Sequence, residues 1–296
     1  MSKIVGLGAC VLDTLINCNK YPTEDTKLKA DSIFLSGGGP VGNALVVISK
    51  LGVTAEVLGG FGDDASANYL ISDFNRYGVL TDNVTVCRGA SSFTSYIVLS
   101  EEAKTRTCVF DRGTVPDDVS NVKLSAVDSA DIVHLDGNYL NCAISLAKYA
   151  KSKGVLVSLD AGGLYKDIDK LIPYVDVLIP SAEFALGFTG KTDIKSAMLD
   201  LYSKYTPKVL VVTDGSNGGY YYEDGNILHY DSVKVNAVDT NGAGDTFHGA
   251  FLVALVNGKS IKDCCNYASA VAGYKVGFKG ARTYPLTKQI ADDLVK

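Results

Sequence analysis

The sequence predicts an α/β fold, a central and mostly parallel sheet flanked by helices, with a small β-sheet lid inserted into it. Three observations carry this expectation. Short β-branched runs alternate with helix-length stretches over most of the 296 residues, a rhythm that packs helices on both faces of a parallel sheet. Two regions, at about 15–35 and 86–112, break that rhythm with polar–apolar alternation of the strand period. The length suits one large domain, since single cores stop growing near ~250–300 residues.

Taken in order, the apolar N-terminal run through Asp13 reads as a first buried strand with Asp13 at its end. Ser92–Leu99 and Thr105–Phe110, joined by a short polar turn, read as a lid hairpin. Ile132–Leu135, Val155–Leu159, Val175–Ile179 and Val209–Thr213 are short, mostly apolar runs rich in β-branched residues, of the kind buried in parallel sheets. Helical spacing fills the gaps at Cys142–Lys153 and Ser196–Tyr205, and Gly244–Asn257 and Cys264–Val276 read as well-packed helices. Asp136 and Asp160 close two of the strands, at the sheet edge where open α/β folds bind ligands.

Composition narrows the partners. The chain is 47% hydrophobic and 21% charged with a net charge of -5, and it has no basic run to release counterions from nucleic acid or to hold an anionic membrane. No stretch approaches the ~18 apolar residues of a membrane span, and the N-terminus lacks the long apolar core of a secretory signal. Seven cysteines, scattered apart from Cys264-Cys265, fit free thiols in a reducing, cytoplasmic setting.

Two glycine-rich segments carry the chemistry. In Asp239-Thr-Asn-Gly-Ala-Gly-Asp245, small residues precede a strongly apolar helix. Unpaired N–H groups and the helix dipole make an anion site there. Asp245, in the first turn, would face it as a base for a hydroxyl proton. Alone, such a turn is more often structural than catalytic. The second segment, Ser36-Gly-Gly-Gly-Pro-Val-Gly-Asn-Ala-Leu45, offers glycines for close approach to the backbone and an amide, Asn43, that both donates and accepts.

Together the two segments resemble the signatures of the PfkB (ribokinase-like) carbohydrate kinases. Asp239, Thr240, Gly242, Ala243, Gly244, Asp245 and Phe247 match the C-terminal signature, and Gly38, Gly39 and Asn43 match the N-terminal one. The resemblance spans essentially the whole chain and implies a ribokinase-like three-layer sandwich that transfers phosphate from ATP to a hydroxyl of a small sugar or sugar derivative. It implies Asp245 as catalytic base, with Gly242, Ala243 and Gly244 as the anion hole. Asp13, Gly38, Gly39 and Asn43 would hold the sugar, and Thr213, Gly215, Gly218, Gly280 and Ala281 would line ATP. It further implies Mg2+ with the nucleotide and K+ on oxygens beside Asp239, and the lid, whose uncovered sheet edges would pair, suggests a homodimer.

Two segments depart from the family pattern. Where members carry Asn-x-x-Glu, this chain has Ser181 and Phe184, which leaves the adjacent Glu183 as the carboxylate to reach magnesium through water. Pro40 replaces the lysine of the ribokinase version, so ribose specificity is not implied. A nucleoside kinase of the same fold, with Phe34, Phe93 and Tyr96 stacking on a base, and a non-catalytic sugar-binding member are the alternatives.

Overall fold

The computed structural model describes residues 2–103 and 105–295. The chain begins with β1 (Lys3–Leu7), crosses to the lid in β2 (Val11–Cys18) and β3 (Ser32–Gly38), and returns through α1 (Pro40–Lys50) and β4 (Thr54–Val57). Next come β5 (Gly59–Gly62), α2 (Ala65–Arg76), β6 (Val84–Cys87), and the lid strands β7 (Thr94–Ser100) and β8 (Thr105–Asp111). The centre holds β9 (Ile132–Leu135), α3 (Leu140–Ser152), β10 (Leu156–Ala161), β11 (Val177–Pro180), α4 (Ala182–Thr189), α5 (Ile194–Tyr205) and β12 (Val209–Thr213). The remainder is β13 (Gly219–Glu223), β14 (Asn226–Tyr230), α6 (Ala243–Val256), α7 (Ile261–Val276) and α8 (Lys288–Asp293).

The main sheet has eight strands in the order β14-β13-β12-β11-β10-β9-β1-β4. The six from β12 to β4 are parallel, and the hairpin β13–β14 extends them antiparallel. Period-two alternation sends Ile4, Ile132, Val177 and Val209 into a core with α1, α6 and α7. Their neighbours Val5, Val133, Leu178 and Leu210 enter a second core with α3, α4 and α5. Both faces are thus largely apolar, the reason these strands read as mostly hydrophobic runs without alternation. This is the expected three-layer sandwich.

The lid is a four-stranded sheet ordered β3-β2-β7-β8. Two expectations change here. Asp13 does not end the first strand: β1 stops at Leu7, and Asp13 lies within β2, paired with Ser36 on one side and Ser95 on the other. The chain leaves the main sheet at Gly8, where a Cβ would sit 2.4 Å from the Asp136 carboxylate. Val86, expected in the lid, belongs to β6, which pairs with β5 in a separate two-stranded sheet.

Candidate active site

The start of α1 builds one half of the site. Pro40 takes a first-turn position where its missing N–H costs nothing, and Gly39 before it adopts φ 88. A side chain at 39 would collide with the Ala9 carbonyl, 2.2 Å from an added Cβ. Asn43 is buried one turn into α1, and its Nδ2 donates to Asp245 Oδ2 at 2.6 Å. Asn43 Oδ1 in turn accepts from Arg282 Nε at 2.7 Å.

Arg282 is 1% exposed, and its guanidinium also donates to the Gly38 carbonyl at 2.7 Å and to Asp73 Oδ2 at 2.8 Å. Lys50, at the end of α1, holds the carbonyls of Arg282 and, at 2.8 Å, Tyr284. Asp13 accepts from Ser95 Oγ at 2.6 Å. Burial raises its carboxyl above the usual range, while the Ser95 bond and the Arg282 charge pull the other way. The glycines serve a purpose different from the expected one. A Cβ at Gly38 would lie 2.0 Å from Asp13 Oδ2, and one at Gly37 would lie 2.0 Å from Arg282 Nη1. The room they make is filled by the chain's own aspartate and arginine.

α6 builds the other half. It is buried from Thr246 to Ala254, so packing against its neighbours fixes where its first turn points. Gly242 caps it at φ 76, with Thr246 Oγ1 donating to its carbonyl at 2.7 Å. First-turn amides such as those of Gly244 and Asp245 lie beyond the reach of any intrahelical carbonyl and favour an anion. A Cβ on Gly244 would meet nothing within 4 Å, so this side of the turn is open.

Burial lifts Asp245 from 3.8 to about 6; the Asp160 charge adds to this, while the Asn43 bond and His248 oppose it. For Asp160, burial also works upward, but His248, with Nε2 3.2 Å from Oδ1, holds the carboxyl below its usual range. Two neighbouring carboxylates are thereby separated, Asp160 staying ionised and Asp245 titrating nearer neutrality, as suits a proton acceptor. Asp136 plays no such part: it accepts from the amides of Ala9 at 2.8 Å and Asn138 at 3.0 Å, and so ties β1 to β9. His134 is fully buried beside Ser158, and burial pushes it down to about 3, which leaves it neutral.

A cavity of about 540 Å³ adjoins the α6 turn and is lined by Thr213, Gly215, Gly218, Ala243 and Gly244 among others. The predicted nucleotide residues of the first loop therefore share one space with Ala243 and Gly244, two of the three residues expected for the anion hole, while Gly242 is not in its lining. Gly280 and Ala281 are placed elsewhere. Gly280 donates its amide to Asp239 Oδ2 at 2.8 Å and lines a second cavity under the lid. Ala281 is buried against Gly242, where an added Cβ would stand 2.7 Å from its own. The other Asp239 oxygen accepts from the Asn241 amide at 2.8 Å, and the Asp239 carbonyl accepts from Lys275 Nζ at 2.7 Å.

Glu183 is exposed in the first turn of α4 behind its cap Ser181, whose hydroxyl accepts from the Phe184 amide at 3.1 Å. Phe184 is buried and stacks on Phe188 at 5.2 Å, so apolar packing fills the position of the family glutamate. From the lid, Arg106 Nη1 donates to Asn241 Oδ1 at 3.2 Å, which brings β8 onto the signature loop. Arg282, Ser95 and Lys275 escaped the sequence reading. Arg282 had one signal, its place directly after Gly280-Ala281; Lys275 had another, a lone cation near the end of an Ala/Val-rich helix.

The family model for pfkB family carbohydrate kinases matches residues 1–289. An ATP-dependent ribose-1-phosphate kinase of Halopiger xanaduensis is 24% identical over 297 residues, covering 98% of this chain and 97% of its own. Ketohexokinase of Mus musculus is 28% identical over 293 residues, covering 94% and 97%. Among solved structures, Arabidopsis thaliana ribokinase complexed with ribose and ATP superposes with a TM-score of 0.90 at 27% identity, covering 100% of this chain and 99% of that one.

Proposed function

The chain belongs to the pfkB family of carbohydrate kinases, phosphotransferases acting on hydroxyl groups, and from that premise we propose how its residues transfer phosphate from ATP to a sugar. The observation that carries the reading is the Asn43–Asp245 bond of 2.6 Å, which joins the two signatures in one site. Asp245 takes the proton of the acceptor hydroxyl as its oxygen bonds to the γ-phosphorus and the bond to the ADP oxygen breaks. The Gly244 and Asp245 amides receive the phosphoryl charge. Asn43 fixes the carboxylate's direction, and Arg282 fixes Asn43. Asp13, seated in the room that Gly38 leaves for its carboxylate, holds further hydroxyls of the sugar. Thr213, Gly215 and Gly218 line the nucleotide, with Gly280 and Ala281 supporting its loop from behind.

Magnesium, when bound with ATP, neutralises charge across the phosphates. Glu183 is an exposed oxygen donor at the strand edge where Ser181 bridges Thr213, which suits a hard cation reached through water. Unchanged magnesium dependence in Glu183→Gln would remove that role. The potassium expected beside Asp239 is left out of this reading, because an ammonium already donates to the Asp239 carbonyl.

The test is ADP release over a panel of sugars, sugar acids, phosphosugars and nucleosides, with turnover of a sugar class expected; no turnover of any would overturn the reading. Phe93 and Phe110, with ring centroids 5.8 Å apart beside the Asp13 row, keep a nucleoside as the second reading. Tyr96 is not part of that wall, since it pairs with Thr14 on the row of the opposite lid face. That outer row, Leu35, Tyr96 and Val109, is exposed and apolar, and a second copy of the chain is the proposed cover. Sedimentation as a monomer would exclude it. All seven cysteines are free, in support of a cytoplasmic setting, which localisation of the tagged protein checks.

A further inference from the structure

We propose that the Lys275 ammonium is a built-in cation that braces the Asp239–Asp245 loop, so that phosphoryl transfer here needs no dissociable monovalent ion. The inference rests on the phosphoryl-transfer reading of the site. Lys275 lies at the end of α7 with no exposed surface. An ammonium is seldom taken out of water without a specific partner to receive it. Its partner is the Asp239 carbonyl, at 2.7 Å. Around this contact the two segments are laced together: the Val238 and Asp239 amides both donate to the Val276 carbonyl, at 2.7 and 3.1 Å.

The surroundings are those of a cation site. Burial presses Lys275 toward its neutral form, the Asp239 and Asp245 carboxylates favour its charge, and Arg106 opposes it. Both Asp239 carboxylate oxygens are already engaged, by the Asn241 and Gly280 amides at 2.8 Å. The remaining oxygen, the carbonyl, is the one turned to Lys275. A free ion would have to displace a covalently tethered charge that is already in place. The tethered charge supplies the same attraction to the loop's oxygens and to incoming phosphate, at a position fixed by α7 rather than by ion concentration. The expected oxygen set for potassium therefore does not fit this chain.

The experiment compares steady-state rates in potassium, sodium, ammonium and tetramethylammonium salts at matched ionic strength. The wild-type protein should show rates equal within about twofold across all four. Stimulation by potassium of about tenfold or more over tetramethylammonium would overturn the proposal. Lys275→Ala, checked for folding by thermal unfolding, should lose about tenfold or more in tetramethylammonium and recover in ammonium or potassium, which can enter the vacated space. Undiminished turnover of this variant, or a loss that neither ion repairs, would also overturn it. If Lys275→Ala does not fold, the wild-type salt comparison decides alone. If no acceptor is turned over in any salt, the kinase reading fails separately. Thermal-shift binding of a non-hydrolysable ATP analogue in the same four salts then decides: equal shifts support the built-in cation, and shifts that need potassium refute it.

Discussion

Replacing Asp245 by Asn should yield a protein that is nearly inert and yet more stable than its parent at alkaline pH. Asp245 is lifted from 3.8 to about 6, chiefly by burial and then by Asp160. A carboxyl raised in this way binds its proton more tightly in the folded chain than in the unfolded one. Its contribution to stability is present in full below the unfolded value of 3.8 and is lost as pH climbs through about 6. That loss comes to about 3 kcal/mol, at about 1.4 kcal/mol for each tenfold in proton affinity. The neutral amide avoids it. A stabilisation of about 3 kcal/mol at about pH 8 follows, the Asn43 bond being already contained in the net rise of Asp245, or about 6 °C in Tm for a chain of this size. By about pH 4.5 the parent's Asp245 is largely protonated and most of the difference should be gone. Circular dichroism melts at the two pH values read this directly. Turnover should fall about a thousandfold with the ATP KM changed only a few-fold. An equal stability change at both pH values, or near-parental turnover, would exclude Asp245 as the buried base.

Turnover of the parent should fall about tenfold per pH unit below about pH 6 as Asp245 protonates. Asp160→Asn should move that limb to lower pH by removing a charge that raises Asp245; a pH–rate profile with no such movement would exclude the coupling. Arg282→Met takes the buried guanidinium from the Asp73 carboxylate, which keeps Arg76 and the charge of Lys50 nearby, so urea melts should show a loss of about 3 kcal/mol and kinetics a raised acceptor KM. A melt within about 0.5 kcal/mol of the parent would show that the buried pair contributes little. Gly244→Val should leave Tm unchanged, because its Cβ meets nothing within 4 Å, while raising the ATP KM about tenfold or more by entering the nucleotide cavity. Unaltered ATP kinetics would move the nucleotide elsewhere.

The parallel strands β1 and β9 to β12 and the helices α3, α5, α6 and α7 were legible because period and apolarity are local properties, whereas the four-residue β4 did not stand out. So were both signature segments, whose meaning lies in short spacings. The misplacement of Asp13 came from the run Ile4–Leu12, which reads as one apolar strand although the chain breaks at Gly8 to pass Asp136. The hairpin β13–β14 was present in the sequence as Asp224-Gly225 between two aromatic-rich runs, both residues taking positive φ, a recognised hairpin signal. Arg282 was of a different kind. Its partners Gly38, Asn43 and Asp73 lie 244, 239 and 209 residues away, and no local pattern encodes such a meeting. Lys275 was hidden by its type, since a lysine in a helix ordinarily reads as solvent-facing.

The reach of Arg282 also sets when the enzyme can become an enzyme. During synthesis Gly38, Asn43 and Asp73 emerge early, but the guanidinium that orients the asparagine emerges more than two hundred residues later. Contacts of such separation close slowly, because the intervening chain's entropy must be spent before they reward it. A nascent chain holding the complete N-terminal half would therefore carry a loosely ordered acceptor segment around an Asp73 that has Arg76 but lacks the buried Arg282 guanidinium. Competence would arrive in one late step, when the loop after α7 docks and Arg282 enters.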